Sequence, residues 1–305
     1  MSKSESKNLS EAWQEEITAR IIRDLEEGVP AWVKPWTADR SCAAIRLPTN
    51  AVSSRPYSGI NILALWAATM ERGFRTHAWL TYQQANEIGA RIKKGEKSEK
   101  VVFVKFLEPK EESEGNKGRK IPMLRVFWVF NLDQCENVPP TYLKPPEMLP
   151  PSEYKLAMTR YVSDIGVTAI NFGCQSARYI PSLDQIEVPD LKRFSSDEAF
   201  SGTLAHEAVH ATGHKDRLAR KYGERFGDEA YAYEELVAEL GSAFLCAQLG
   251  IPPTTRTQAS YIASWVKVLK GDHRAITSAA SYASQALTFL NAQVEQARAG
   301  KMAAE

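Results

Sequence analysis

The sequence holds little of what would mark a stapled, membrane-bound or strongly charged protein. Only four of its 305 residues are cysteine (Cys42, Cys135, Cys174 and Cys246). They are scattered and form no Cys-x-x-Cys pair, which argues against a disulfide framework or a cysteine zinc site. They read as buried thiols in a reducing compartment. No apolar run reaches membrane-spanning length. The polar start, MSKSESKNLSEAWQEE, lacks the apolar stretch of a secretory leader. These absences predict a soluble, cytoplasmic chain with no membrane partner. An excess of one charge is missing too: the formal net charge is +1, far from the footprint of a dedicated duplex binder. There is no internal repeat. Apolar content is 44% and charged content 25%, ordinary values for a chain that buries a full core.

Histidine is also scarce, so its placement carries weight. Three of the five fall within nine residues, in Leu204-Ala205-His206-Glu207-Ala208-Val209-His210-Ala211-Thr212-Gly213-His214. This is His-Glu-x-x-His among good helix formers. Positions four apart share a helix face, so His206 and His210 can grip one ion. Imidazole nitrogen binds zinc and leaves it Lewis acidic. Glu207, one step round, is placed to act as base on a metal-bound water acidified to a pKa of about 7. His214 reads as a supporting or exposed residue, and His77 and His273 as structural.

A catalytic zinc needs a third protein ligand, and two sets of candidates exist. Glu235 and Glu239, in Glu234-Glu235-Leu236-Val237-Ala238-Glu239, lie one turn apart on the next helix. There Glu235 can bind the metal and Glu239 can support a histidine. Glu234 and Glu229 are weaker candidates. Asp216 instead completes His-Glu-x-x-His-x-x-Gly-x-x-Asp, the longer metzincin spacing with Asp in place of the third histidine. Glu235 is the favoured ligand, because charged side chains seldom occupy so apolar a helix without partners.

Six prolines between Val138 and Pro151 exclude helix and central strand and predict a stiff linker. They divide the chain into residues 1–137, 138–151 and 152–305. Before the linker, apolar periodicity predicts helices over Glu11 to Glu27 (ended by Gly28), Ile60 to Met70 and Thr81 to Ile88, the last capped by Thr81. Val101 to Leu107 and Leu124 to Leu132 read as strands. The polar stretch from Pro109 to Lys120 reads as a mobile hairpin loop. After the linker, helices are expected over Tyr154 to Ile165, Asp197 to Thr212, Tyr231 to Leu249, Gln258 to Leu269 and Arg274 to Ala297. Short strands at Ala177 to Pro181 and Gln185 to Val188 suit the edge that holds an extended substrate backbone by β-addition. The fold class is α+β in two domains, a small antiparallel-sheet domain and a mostly helical one.

The halves differ in charge. Residues 1–130 carry 21 Lys/Arg against 16 Asp/Glu, and residues 151–305 carry 16 against 18. Trp13, Trp32, Trp36, Trp66, Trp79 and Trp128 all precede the linker, and only Trp265 follows it. Arg72 to Lys105 holds eight Lys/Arg against three Glu, including Lys93, Lys94 and Lys97. Aromatic faces that stack bases and lysines that track phosphates suit single-stranded DNA. The same residues could equally fill a core and solvate a hairpin.

Several stretches of the first half resemble the N-terminal domain of the ArdC family of plasmid antirestriction proteins, shared with TraC-type plasmid primases. They are Pro35-Trp36, Pro48-Thr49-Asn50-Ala51, Pro56-Tyr57-Ser58-Gly59-Ile60-Asn61, Trp79-Leu80-Thr81-Tyr82-Gln83-Gln84-Ala85, Lys94-Gly95-Glu96-Lys97 and Val129-Phe130-Asn131-Leu132-Asp133-Gln134. The histidine motif, Arg225-Phe226-Gly227 and Tyr231 to Leu240 resemble the zincin-like domain joined to it in that family. The resemblance implies a single-stranded-DNA-binding domain, a Zn²⁺ metallopeptidase-like domain and a role in protecting incoming conjugative plasmid DNA from restriction. The candidate DNA contacts are Trp36, Tyr57, Asn61, Trp79, Tyr82, Lys93, Lys94 and Lys97. The expected partners are single-stranded DNA and an unidentified protein substrate, a host restriction component being one candidate. Two alternatives stay open: a DNA-shielding protein with a structural metal, and a metallopeptidase whose first half docks proteins.

Overall fold

A computed structural model of the chain describes residues 3–28, 32, 46–107, 121–143, 149–220, 229–252 and 259–302. Trp36, Cys42, the stretch from Pro109 to Lys120 and Arg225-Phe226-Gly227 lie outside the described residues.

The first half opens with helix α1 (Lys3–Glu26). It starts eight residues before the apolar pattern, because the polar residues of its first two turns carry no periodicity to read. Trp13, Ile21 and Leu25 form its buried stripe. Gly28, at φ +81°, closes it by returning its N–H to the Leu25 carbonyl at 2.9 Å. Strand β1 (Thr49–Asn50), helix α2 (Ile60–Glu71), strand β2 (Ala78–Leu80), helix α3 (Tyr82–Glu87) and strands β3 (Arg91–Ile92), β4 (Glu99–Leu107), β5 (Ile121–Asn131) and β6 (Cys135–Glu136) follow. Thr81 caps α3 as expected, in a reciprocal capping box with Gln84.

The main sheet has the order β1-β2-β5-β4, antiparallel except for the parallel β1/β2 pair, and β3 and β6 form a separate ribbon. The four two- and three-residue strands were not legible in the sequence, because they are too short to show an alternation. The proline-rich stretch contributes single 3-10 turns at Pro140–Tyr142 and Pro151–Glu153, each with proline in its first turn.

The second half comprises helix α4 (Tyr154–Ser163), strands β7 (Ala169–Cys174), β8 (Arg178–Ile180) and β9 (Gln185–Pro189), and helices α5 (Asp197–Thr212), α6 (Glu229–Leu249), α7 (Ala259–Gly271) and α8 (Ala275–Met302). The sheet order is β7-β9-β8, with β7 parallel and β8 antiparallel to β9. The architecture is the expected α+β pair of domains, a sheet-based one followed by a mostly helical one.

Four of the six tryptophans before the linker are core residues. Trp13, Trp32, Trp66 and Trp79 are all at most 4% exposed. Two of them join the halves: Trp32 lies 5.9 Å from Trp265 of α7, and Trp66 lies 5.7 Å from Phe244 of α6, edge to face. The hydroxyl of Thr18 donates to the His273 carbonyl at 2.7 Å, and the Gly59 N–H donates to Ser284 Oγ at 2.7 Å. One continuous apolar cluster therefore runs from Trp13 through Trp66 to Val294. Each such aromatic ring removes roughly 150–250 Å² from water, on the order of several kcal/mol at about 25 cal/mol per Å².

Candidate metal centre

The site is made by two helices crossing closely. Helix α5 starts at Ser196, whose hydroxyl accepts from the Ala199 N–H at 3.2 Å, and carries Asp197 and Glu198 in its first turn, where the helix dipole favours negative charge. Helix α6 meets α5 at Gly241. A Cβ at Gly241 would stand 2.8 Å from both methyls of Val209, so a glycine permits the approach. Ser242 Oγ donates to the Gly202 carbonyl at 2.9 Å across the same crossing. One and a half turns earlier along α6, this register brings Glu235 over the two motif histidines.

The donors converge. His206 Nε2 and His210 Nε2 are 3.0 Å apart, His206 Nε2 is 3.5 Å from Glu235 Oε2, and His210 Nε2 is 3.4 Å from Glu235 Oε1. All three ligand atoms lie within 4.8 Å of one another. Donors around one tetrahedral zinc at its usual bond lengths stand about 3.3 Å apart, so this set fits the ion without rearrangement. Two imidazoles and a carboxylate also give a donor set that zinc and manganese both accept.

Behind His210 lies a second carboxylate, Glu234, whose Oε1 is 3.4 Å from His210 Nδ1. Arg220 grips Glu234 from the other side at 2.8 and 3.0 Å, and also donates to Thr212 Oγ1 and the Val209 carbonyl. Both side chains are about 5% exposed. Losing one partner of such a pair strands a buried charge and typically costs about 3–5 kcal/mol.

Burial drags the His210 pKa down. The hydrogen bonds and charges of Glu234 and Glu235, with the charge of Glu207, outweigh that and hold it at about 10. Burial likewise pushes the Glu235 carboxyl up, and its bonds to His206 and His210 overcome this and keep it well below the ordinary carboxylate range. Glu207 is 4% exposed, beside His206 on α5.

The remaining candidates are placed elsewhere. Asp216 is 75% exposed and faces His214 Nδ1 at 3.6 Å, because the chain turns outward after Gly213. Glu229 pairs on the surface with Lys267. Glu239 is buried, and the second carboxylate beside a motif histidine, after Glu235, is Glu234, which the sequence offered only as a weaker ligand candidate. Its one signal was an acidic pair inside an otherwise apolar helix. Arg220 gave no signal at all. The expected substrate edge needs correction in part. Gln185 to Val188 is the middle strand β9, with both edges taken, whereas β8 does lie at an edge; among the described residues the edge strands of this sheet are β7 and β8. His77 is buried and His273 half-buried.

The DNA-contact candidates divide. Trp79 is fully enclosed against Phe74 at 5.7 Å, and Asn61 is buried with its amide bonded to both backbone groups of Val102. Neither offers a surface to a base, so both are structural. Tyr57 is mostly buried, with its ring 6.2 Å from Phe103. Tyr82 is 61% exposed on α3. Lys93, Lys94 and Lys97 lie exposed around the turn at Gly95, while Glu96 between them is held inward by Arg72 and Gln134 at 2.7 and 2.8 Å. Lys93 Nζ donates to the Asp133 carbonyl. Phe103 and Phe127, which no sequence signal singled out, and Trp128 are each 40–42% exposed on β4 and β5.

A family model described as the N-terminal domain of anti-restriction factor ArdC matches residues 11–130, and one described as zincin-like metallopeptidase matches residues 157–282. The chain is 38% identical over 293 residues to the uncharacterized protein y4eC of Sinorhizobium fredii (strain NBRC 101917 / NGR234), covering 93% of each. It is 32% identical over 296 residues to the DNA primase TraC of Escherichia coli, covering 91% of this chain and 27% of the primase. Its structure resembles the metal-free crystal structure of the antirestriction ArdC protein from plasmid R388, with a TM-score of 0.75 and 36% identity over 93% of this chain and 98% of that one. The Mn(II)-bound structure of the same protein gives a TM-score of 0.74 at 35% identity, over 92% and 97%.

Proposed function

This chain belongs to the ArdC antirestriction family, and from that premise we propose that it is an antirestriction protein that binds single-stranded DNA and carries a zinc metallopeptidase centre. It protects incoming conjugative plasmid DNA from host restriction. Residues 1–137 bind DNA, 138–151 connect, and 152–305 hold the metal. His206, His210 and Glu235 are the ligands, and the peptidase substrate is a protein, a host restriction component being the first candidate.

The observation that carries this reading is the convergence of three donor atoms within 4.8 Å beside the buried Glu207. A structural zinc needs no base; a hydrolytic one does. A bound zinc would serve as a Lewis acid and lower the pKa of a coordinated water to about 7. Glu207 takes the water's proton on its carboxylate and passes it to the leaving amine nitrogen. Glu234 accepts a hydrogen bond from the Nδ1–H of His210, which leaves Nε2 as the ligand atom. Lys93, Lys94 and Lys97 supply positive charge on the DNA-binding half. Manganese, held by the R388 relative, is a second ion that the same donors suit.

The test measures metal content and hydrolysis together. Glu235→Ala should strip the metal and Asp216→Ala should not. Glu207→Gln should keep metal and fold, and should slow hydrolysis by about 10²–10⁴-fold. Metal retained in a His206→Ala/His210→Ala double variant sinks the site. Unchanged hydrolysis in Glu207→Gln sinks the base assignment, and no hydrolysis by the wild type points to a structural metal.

A further inference from the structure

Among the described residues, the face of the main sheet that carries Phe103 and Phe127 is left partly open. Register pairs Val101 with Phe127 and Phe103 with Arg125, so these four side chains share one face of β4 and β5. At one end of that face Val101 and Val129 are buried under Tyr57, Phe74 and Trp79. Further along, the same face emerges from the core. Phe103 is 42% and Phe127 40% exposed, with their rings 5.5 Å apart and nearly perpendicular. Tyr57 extends the aromatic row at 6.2 Å from Phe103. These rings form one wall of a cleft of about 480 Å³.

The rest of the cleft is polar and carries one sign of charge. Arg55 and Arg125 line it, and no carboxylate does. Both arginines are exposed, and neither has an acidic partner among the described residues. Asn50 and Gln84 also line the cleft, and their side-chain amides bond each other at 3.0 and 3.2 Å and are thereby fixed in place. The Thr81 N–H donates to the same Gln84 oxygen, which ties the amide to the start of α3.

We propose that this cleft, formed by Tyr57, Phe103 and Phe127 with Arg55, Arg125, Asn50 and Gln84, is a nucleobase-binding subsite for single-stranded DNA. The proposal rests on the reading that the N-terminal half binds single strands, and assigns the place where a base sits. Exposed rings offer a stacking face, which every base can use. The Gln84 amide, fixed by Asn50 and Thr81, keeps one N–H that can donate to a base edge. The exposed guanidinium groups of Arg55 and Arg125 balance the phosphates on either side. A duplex cannot use the cleft, because its bases are already stacked inward. The volume lies in the roughly 300–1,000 Å³ range of small-ligand clefts, room for a nucleotide rather than a helix.

The experiment uses the full chain and a fluorescein-labelled oligothymidine, with affinity read by anisotropy over a range of salt. Phe103→Ala and Phe127→Ala should each weaken binding about 5- to 150-fold. Phe127→Leu keeps the apolar volume but loses the flat face, and should weaken binding as well. An Arg55→Ala/Arg125→Ala double variant should flatten the plot of log affinity against log salt by roughly 0.7 per lost phosphate contact. Trp128→Ala is the control: this ring is equally exposed but lies on the other face of β5, and its loss should change nothing. Full affinity in a folded Phe103→Ala/Phe127→Ala variant overturns the subsite and leaves the single-strand reading standing, as does a loss confined to Trp128→Ala. A wild type without affinity for the oligonucleotide overturns the single-strand reading itself.

Discussion

At the scale of single residues, the metal ligands compete with protons. Without metal, the neighbouring carboxylates keep His210 protonated up to a pKa of about 10, against 6.5 for the free side chain. A ligand histidine must be neutral, so metal uptake has to expel that proton. Metal affinity is therefore expected to rise with pH, by about tenfold per unit over the range where His210 is still charged. The metal-free chain should behave in the opposite sense. Its His210 contribution to stability is complete below about 6.5 and is lost as the pH rises through about 10. Thermal unfolding of the chelator-treated chain across that range, beside metal titrations at the same pH values, checks both; a flat pair of curves refutes them. The motif histidines were legible because four-residue spacing on a helix has a single geometric meaning. Glu234 and Arg220 were not, because their roles depend on a crossing between separate segments that no local pattern encodes.

At the scale of elements, the centre depends on how closely α5 and α6 pack. Gly241→Ala would put a methyl 2.8 Å from the Val209 methyls, and one helix must then move. Overpacking of this kind costs about 1–3 kcal/mol. Because Glu235 comes from α6 and both histidines from α5, the displacement should also weaken metal binding, with chelator competition as the measurement. If stability falls while metal affinity holds, the crossing does not set the site. Long elements were read well from sequence: α5 was placed to the residue, and α2, α4 and α6 to within two residues at each end. Strand β7 was missed, since Ala169-Ile170-Asn171-Phe172-Gly173-Cys174 mixes exposed and half-buried positions and shows no clean alternation. The exposed Phe103 and Phe127 were hidden for a related reason. An aromatic on a strand reads as core until the sheet's covering is known.

At the scale of the molecule, the proline-rich stretch suggested two halves joined by a spacer, and the tryptophans suggested a surface rich in stacking rings. The structure uses most of those rings otherwise. Trp32 and Trp66 pack against Trp265 and Phe244, and the apolar cluster passes through both halves. Sequence could not separate the two uses, because a ring's neighbours lie more than a hundred residues away. A shared core predicts that the chain unfolds in one cooperative transition, with sheet and helices lost together. Calorimetry showing two separated transitions would refute this. Either half expressed without the other should be less stable, since it exposes its side of the cluster to water.

The Trp32–Trp265 contact also makes the chain report optically on its own integrity. Two indoles 5.9 Å apart and tilted by 55° sit in a fixed asymmetric surrounding, one from each half. Such packing gives a near-ultraviolet circular dichroism signal that vanishes when side chains lose their fixed neighbours, even where helix content survives. Because the pair straddles the boundary, the part of that signal lost in a Trp32→Phe variant follows the docking of the halves, while the other buried tryptophans report on the folding around them.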